Sequence, residues 1–413
     1  MITDKLRSRA FDSHILWHSN IIQEQVLARS PLFPTIVDSI QESLVQQQEQ
    51  QQLFLSEPED CIMAHSLPDH QFLEYLSEQG FRIPKFVLVP GIENGGSKPG
   101  YNHYFVPYLV TENMERLAQE NCLILFGPSA QLSMQLNDKY FIRKMLISNG
   151  ITVTKGGFCH SAEELTSMYR QLKNEGFDKV VIKLPFGSSG KGLRMVDNEG
   201  EFHSFIKYST KRVKNFELLV EGWHPHAYSL NAQVLIHKHH VIVLGVTEQI
   251  IQQDSGSYLG TNFLPDPPEN IRATYIQEMK RIGKLLSNMG YSGIFGVDSI
   301  VDRNGTIFPV IEINARLTQV TYLLSLVRRL SKSYAHIESR NIRLVEDGSR
   351  DFQYYLQLFN QLLKSNEVNR FLIYTFAKHV EGDKGYFRIF VLFYGNDRAH
   401  VRSMVEEFQS IGI

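Results

Sequence analysis

Gly296-Val297-Asp298-Ser299-Ile300-Val301-Asp302 and Phe308-Pro309-Val310-Ile311-Glu312-Ile313-Asn314-Ala315-Arg316 decide how this chain is read. Each is a short apolar run broken by polar residues, with Glu312 fourteen positions after Asp298. Side chains alternate along a strand, so Glu312, Asn314 and Arg316 share one face. Arg303-Asn304-Gly305-Thr306 supplies a turn, and the two runs then pair as a hairpin with Asp298 opposite the Glu312/Asn314 pair. Two carboxylates and an amide oxygen converge. Hard oxygen donors at that density suit Mg²⁺, or Mn²⁺, with bound polyphosphate, and Arg316 can grip a phosphoryl oxygen with both arms. A buried ion-pair cluster is the plain alternative, but two buried acids need more compensation than one arginine supplies.

Upstream lies Val180-Val181-Ile182-Lys183-Leu184-Pro185-Phe186-Gly187-Ser188-Ser189-Gly190-Lys191-Gly192. An ammonium inside a buried strand is costly unless it faces an anion, so Lys183 predicts a negative group beside it. Gly187, Ser188, Ser189, Gly190 and Gly192 form a loop whose bare amides can wrap phosphate oxygens, and Lys191 adds a positive charge. Taken alone, this segment is equally compatible with a hairpin carrying one snorkelling lysine.

The chain has 413 residues, enough for two or three domains. Lys+Arg 42 against Asp+Glu 44 leaves a net charge of −2, which argues against a general nucleic-acid binder and offers no polybasic membrane anchor. No apolar run approaches the roughly 18 residues of a membrane span, and residues 1–17 mix charge with isolated apolar positions unlike a secretory signal. The expected setting is the cytoplasm. Cys61, Cys122 and Cys159 have neither disulfide nor zinc spacing and read as buried small hydrophobes.

Residues 12–53 carry helical spacings and end in the run Gln46 to Gln52, read as a solvated helix end or linker. Residues 60–126 offer the short strands of a small α/β layer, with a surface loop from Asn94 to Gly100. Elements alternate from Ser129 to about Leu330, and Ser331 to Asp351 looks like a charged boundary. The tail offers a helix from Phe352 to Lys364, two strands and a last helix. The expected division is therefore residues 1–128, 129–330 with a lid at about 150–222, and 331–413. His237, His239 and His240 fit a hairpin tip rather than a metal site, and no GxSxG elbow or HExxH helix is present.

With these pieces in order, the chain resembles the ATP-grasp ligase superfamily. The resemblance spans about Ser129 to Leu330 and implies an ATP-grasp fold of the α/β (α+β) class, with an N-terminal pre-ATP-grasp α/β region and a small C-terminal α/β appendage. It implies that Lys139, in Asn137-Asp138-Lys139-Tyr140, and Lys183 hold ATP phosphates while the loop Gly187 to Gly192 closes over them. Leu218-Leu219-Val220-Glu221-Gly222-Trp223 looks like the hinge, with Glu221 and the backbone near Trp223 meeting adenine. Asp298, Glu312 and Asn314 match the Mg²⁺ ligands, and Arg316 and Lys191 would stabilise an acyl phosphate. One departure is that His224-Pro225-His226-Ala227-Tyr228-Ser229 stands where the superfamily places an acid for the ribose hydroxyls.

Such an enzyme aligns the γ-phosphate with an attacking carboxylate by positioning and charge neutralisation and needs no covalent nucleophile. In the superfamily the acyl phosphate is captured by an amine or a thiol. The flanking layout is similar to the glutamate:acyl-carrier-protein ligase of butirosin-type biosynthesis and the peptide ligase of pheganomycin-type biosynthesis. That likeness implies an amino-acid donor and, as acceptor, a peptide amine or a carrier protein's phosphopantetheine thiol. Ser257-Tyr258-Leu259-Gly260-Thr261-Asn262 reads as a polar loop on the acceptor side. A kinase acting on a hydroxyl and a nucleotide-binding partner protein without turnover are the alternatives, and a homodimer is the prior for a soluble enzyme.

Overall fold

The computed structural model describes residues 14–30, 32, 38–89, 103–187, 192–212, 217–252 and 257–412. Three sheets organise them. The first contains β1 (Ile15–His18), β2 (Cys61–Ala64), β3 (Lys85–Leu88), β4 (Tyr104–Pro107) and β5 (Ile124–Leu125), in the order β3-β2-β1-β4-β5. Every pairing is parallel. Ile15 to His18 is thus a central strand, whereas the spacings over residues 12–53 suggest helices. The reason is that a middle strand buried on both faces, at four residues, shows no alternation of apolar and polar positions. Buried Asp60 holds it by accepting from Ile15 N at 3.0 Å and Trp17 Nε1 at 3.1 Å.

The glutamine run also departs from expectation. It is not a solvated linker but part of a 3₁₀ helix, Gln47–Phe54, in which Gln48 to Gln52 are buried. A primary amide carries a donor and an acceptor side by side, as a peptide group does. Gln50 donates to Phe376 O at 2.9 Å and accepts from Phe376 N at 3.0 Å. Gln47 does the same with Lys378, at 2.9 and 3.0 Å. Side chains three apart eclipse on a 3₁₀ helix, so the two amides meet alternate residues of one strand edge and complete its ladder.

The second sheet is antiparallel, with β6 (Gly156–Cys159), β7 (Val180–Lys183), β8 (Leu193–Val196) and β9 (Leu218–Gly222) in the order β6-β9-β7-β8. Tyr169 from the helix Ala162–Asn174 and Phe202 from the helix Glu199–Arg212 stack at 3.9 Å between ring centres in its core.

The third sheet has eight strands: β10 (His226–His237), β11 (His240–Ile251), β12 (Tyr258–Asn262), β13 (Gly293–Asp302), β14 (Ile307–Asn314), β15 (His336–Asp347), β16 (Asn369–Glu381) and β17 (Lys384–Gly395). Their order is β14-β13-β10-β11-β12-β15-β17-β16. At the β10–β11 tip, Lys238 and His239 have φ of +48° and +64°, as both central residues of a type I′ hairpin turn require. Two readings are corrected. Tyr258 to Asn262, expected as a polar loop, is a strand between β11 and β15. The charged stretch 331–351 contains the twelve-residue β15, in which Ile337, Ile342 and Leu344 are buried between polar positions. Through β15 the sheet runs past residue 330 without a break. The helices Phe352–Leu362 and Arg398–Ile411 pack Phe359 and Phe408 against Phe393 and their neighbours. Cys159 is buried, but Cys122 is exposed, with φ +53° in the turn after the helix Glu112–Glu120. No helix among the described residues is long and apolar enough to cross a membrane.

Candidate active site

The hairpin forms in the expected register: Asp298 faces Glu312, and Gly296 faces Asn314. Gly305, with φ +83°, closes the turn. Asp298 is buried beneath amides. Its Oδ1 accepts from Asn231 Nδ2 at 2.7 Å and Gln249 Nε2 at 2.8 Å, and its Oδ2 accepts from Asn314 Nδ2 at 3.0 Å. Burial, reinforced by the facing Glu312 carboxylate, pushes Asp298 up to about 6. A carboxylate held at that cost is a ready seat for a cation.

Lys139 begins the helix Lys139–Ser148, whose N-cap Asp138 accepts from Tyr140 N and Phe141 N. Gly150, at φ +61°, ends that helix, and Ile151 N donates to Leu146 O. Lys139 Nζ donates to Glu312 Oε1 at 2.9 Å and to Gly187 O at 2.7 Å, which ties the hairpin to the loop after β7. Gly192 closes the other side of that loop at φ +78°, where a Cβ would stand 2.5 Å from Phe186 O. Ser188, Ser189, Gly190 and Lys191 lie outside the described residues, as does the loop 94–100.

The anion beside Lys183 is Glu221, with Oε2 at 2.5 Å from Nζ. Glu221 is fully engaged: Arg143 Nη1 donates to its Oε1 at 2.8 Å, and Thr154 Oγ1 makes a very short bond to the same oxygen. Burial would raise its pKa, yet Lys183 and Arg143 outweigh burial and hold it below the usual carboxylate range. The Glu221 side chain, expected against adenine, therefore faces two cations instead. Trp223, two residues on, donates its N–H to Lys179 O at 2.9 Å.

Arg316 lies just past the end of β14, in a tight turn where its N–H donates to Asn314 O at 2.7 Å. Its Nη2 donates to Asn314 Oδ1 at 2.7 Å, while its Nε donates to Glu24 Oε1 at 2.9 Å. Tyr108 lies under the guanidinium at 5.0 Å and donates its own hydroxyl to Glu24 at 3.0 Å. Arg316 thus docks onto the N-terminal layer instead of standing free on the hairpin face.

These groups meet in a cavity of about 190 Å³ lined by Lys183, Glu221, Trp223, His224, His226, Ser229, Gln249, Tyr258, Asp298 and Glu312, among others. The two lysine sites, the hairpin acids and the hinge, far apart in sequence, are brought together. Sequence reasoning missed Arg143, Thr154, Asn231, Gln249 and Glu24; they are ordinary polar residues in helix, strand or loop, with no local pattern to mark them. Among the described residues no three His, Cys, Asp or Glu gather as metal ligands, so a metal here rests on two carboxylates and one amide.

Residues 136–320 match the ATP-grasp domain. Along 400 residues, 96% of this chain and 94% of the relative, the sequence is 38% identical to the [butirosin acyl-carrier protein]–L-glutamate ligase of Niallia circulans. The chain belongs to the ATP-grasp ligases. Within that family, biotin carboxylase 1 of Bacillus subtilis (strain 168) is 26% identical over 228 residues, covering 53% of this chain and 48% of its own. The N5-carboxyaminoimidazole synthetase from Staphylococcus aureus complexed with ADP shares the fold, with a TM-score of 0.57 at 14% identity over 97% of this chain and 99% of that one. The ATP-grasp fold read from the sequence is thereby borne out.

Proposed function

We propose that this ATP-grasp ligase activates the carboxylate of an amino acid, glutamate first among candidates, as an acyl phosphate and passes the acyl group to the phosphopantetheine thiol of a carrier protein. The named relative aligned along nearly the whole chain supports the substrate class. The observation that carries the chemistry is the in-register Asp298–Glu312 pair, which shares one cavity with Lys183 and touches Lys139.

Asp298, Glu312 and Asn314 fit Mg²⁺: their oxygens are hard, and Asp298 carries a burial cost that a cation relieves. When bound, Mg²⁺ supplies neutralisation of phosphate charge. Lys139 and Lys183, each resting on a carboxylate, exchange that partner for phosphate oxygens when ATP enters. The donor carboxylate oxygen attacks the γ-phosphorus and ADP leaves; the thiol sulfur then attacks the acyl carbon and phosphate leaves. Lys191 is assigned to the charge that develops on the acyl phosphate, and Arg316, engaged by Glu24, to holding Asn314 beside Asp298. The enzyme is placed in the cytoplasm, where carrier proteins and ATP are available.

Incubation with Mg²⁺, ATP, hydroxylamine and a panel of amino acids tests this reading. Hydroxamate formed with one donor supports it. ADP released without hydroxamate points to a kinase, and no ADP with any donor removes the ligase reading.

A further inference from the structure

On β17, Arg388 stands directly opposite Arg343 of β15. Like charges on facing strand positions repel unless something lies between them. No carboxylate among the described residues forms an ion pair with either, and the Arg388 Nε is buried without a hydrogen-bond partner. The guanidinium contacts the Phe390 ring at 4.9 Å, and Tyr374 and Tyr258 stand close enough to favour its charge. Burial and Arg343 together push Arg388 down to about 9. A cation kept at such cost has a reason to be there if an anion completes it.

The place of this pair in the sheet names the anion's owner. Period two puts Arg343 on the same face of β15 as Ser339. Ser339 faces Thr261, and Thr261 faces Gln249, the residue that donates to Asp298 at 2.8 Å. The two arginines therefore extend the very face of the sheet that carries the acids of the active site. Tyr258, which lines the site cavity and bonds Thr261 at 2.7 Å, stands between.

We propose that Arg388, seconded by Arg343, is a specificity-determining anion seat that holds a second anionic oxygen group of a substrate whose other end reacts beside Asp298. The chemistry is a carboxylate or phosphate taken by a guanidinium. Two sources offer it: the second carboxylate of a dicarboxylate donor, or the phosphate of the acceptor's phosphopantetheine arm. This inference rests on the ligase reading for its choice of probes, but the seat itself is tested by binding alone.

The test compares the wild-type chain with Arg388→Met and Arg388→Lys by thermal shift, without ATP. The probes are L-glutamate and 4′-phosphopantetheine; L-glutamine and pantetheine, which lack the second anionic group, are controls. The expected result is that one anionic probe stabilises wild type, that its apparent affinity falls about 10- to 100-fold in Arg388→Met, and that Arg388→Lys recovers part of the loss. Response to L-glutamate names the donor as source, and response to 4′-phosphopantetheine names the acceptor. ADP affinity in all three proteins reports that the fold and nucleotide site are intact. Equal shifts in wild type and Arg388→Met, or no shift with either anionic probe, would overturn the proposal. Loss of binding in the variant while wild type forms no ADP with any amino acid leaves the seat standing and removes the ligase reading.

Discussion

Lys139 Nζ lies 2.9 Å from Glu312 Oε1, joining the start of a helix to the end of a hairpin 173 residues away. The same ammonium reaches Gly187 O in the loop after β7. One cation thus links the hairpin acids to the loop expected to cover phosphate, and removing either end separates charge from geometry.

Glu312→Gln keeps the shape and the hydrogen-bonding capacity but deletes one anionic metal donor. Donor-dependent ADP formation is expected to fall by at least about 100-fold, the scale of losing one preorganised electrostatic group in an active site. Circular dichroism should be unchanged. Turnover equal to wild type would remove Glu312 from the site.

Glu221 neutralises both Lys183 and Arg143, all three being buried. Glu221→Gln leaves two buried cations against one neutral amide, and deleting a partner from a buried pair costs about 3–5 kcal/mol. A loss of that order in urea denaturation is expected, alongside weaker ADP binding as the lysine reorients. A variant as stable as wild type would mean that the cluster is solvated.

His18 ends the central strand β1, and burial, with His65 nearby, holds it down at about 4. Its ordinary value is about 6.5, so between those limits the unfolded chain binds more protons than the folded one. Stability therefore falls as pH drops from 6.5 towards 4. At pH 5 the loss from this one group is about 2 kcal/mol. Urea midpoints at pH 7 and pH 5 measure it, and His18→Asn should flatten the difference.

Gln50→Leu fills the same space without the amide and orphans both the N–H and the C=O of Phe376. Unsatisfied buried backbone groups cost about 1–3 kcal/mol each, so a loss of about 2–6 kcal/mol is expected by chemical denaturation. Gln47→Leu, at a half-buried position, should cost less.

Much of the candidate site's layout is legible in the sequence. The hairpin register followed from Asp298, Glu312 and Asn314 at period two around a glycine turn, because a strand's alternation is local and leaves its mark on neighbouring letters. The start of the Lys139 helix was likewise visible in Asp138, and the tip at His239 in its flanking apolar runs. The parts that escaped have a common cause. Ile15 to His18 carries no period because both of its faces are covered, and residues 331–351 look charged although alternate members of β15 are buried. A glutamine run reads as solvated because its letters are polar; that its amides finish the edge of β16 depends on a strand more than 300 residues away.

The ATP-grasp class and the register of the acid hairpin are encoded in spacing over a few residues. Only tertiary structure decided which partner each charge takes: Glu221 for Lys183 and Arg143, Glu24 for Arg316, and no acid among the described residues for Arg388. Pairing of buried charges is settled by distance in space and by loss of water, and neither is written in the order of residues along a chain.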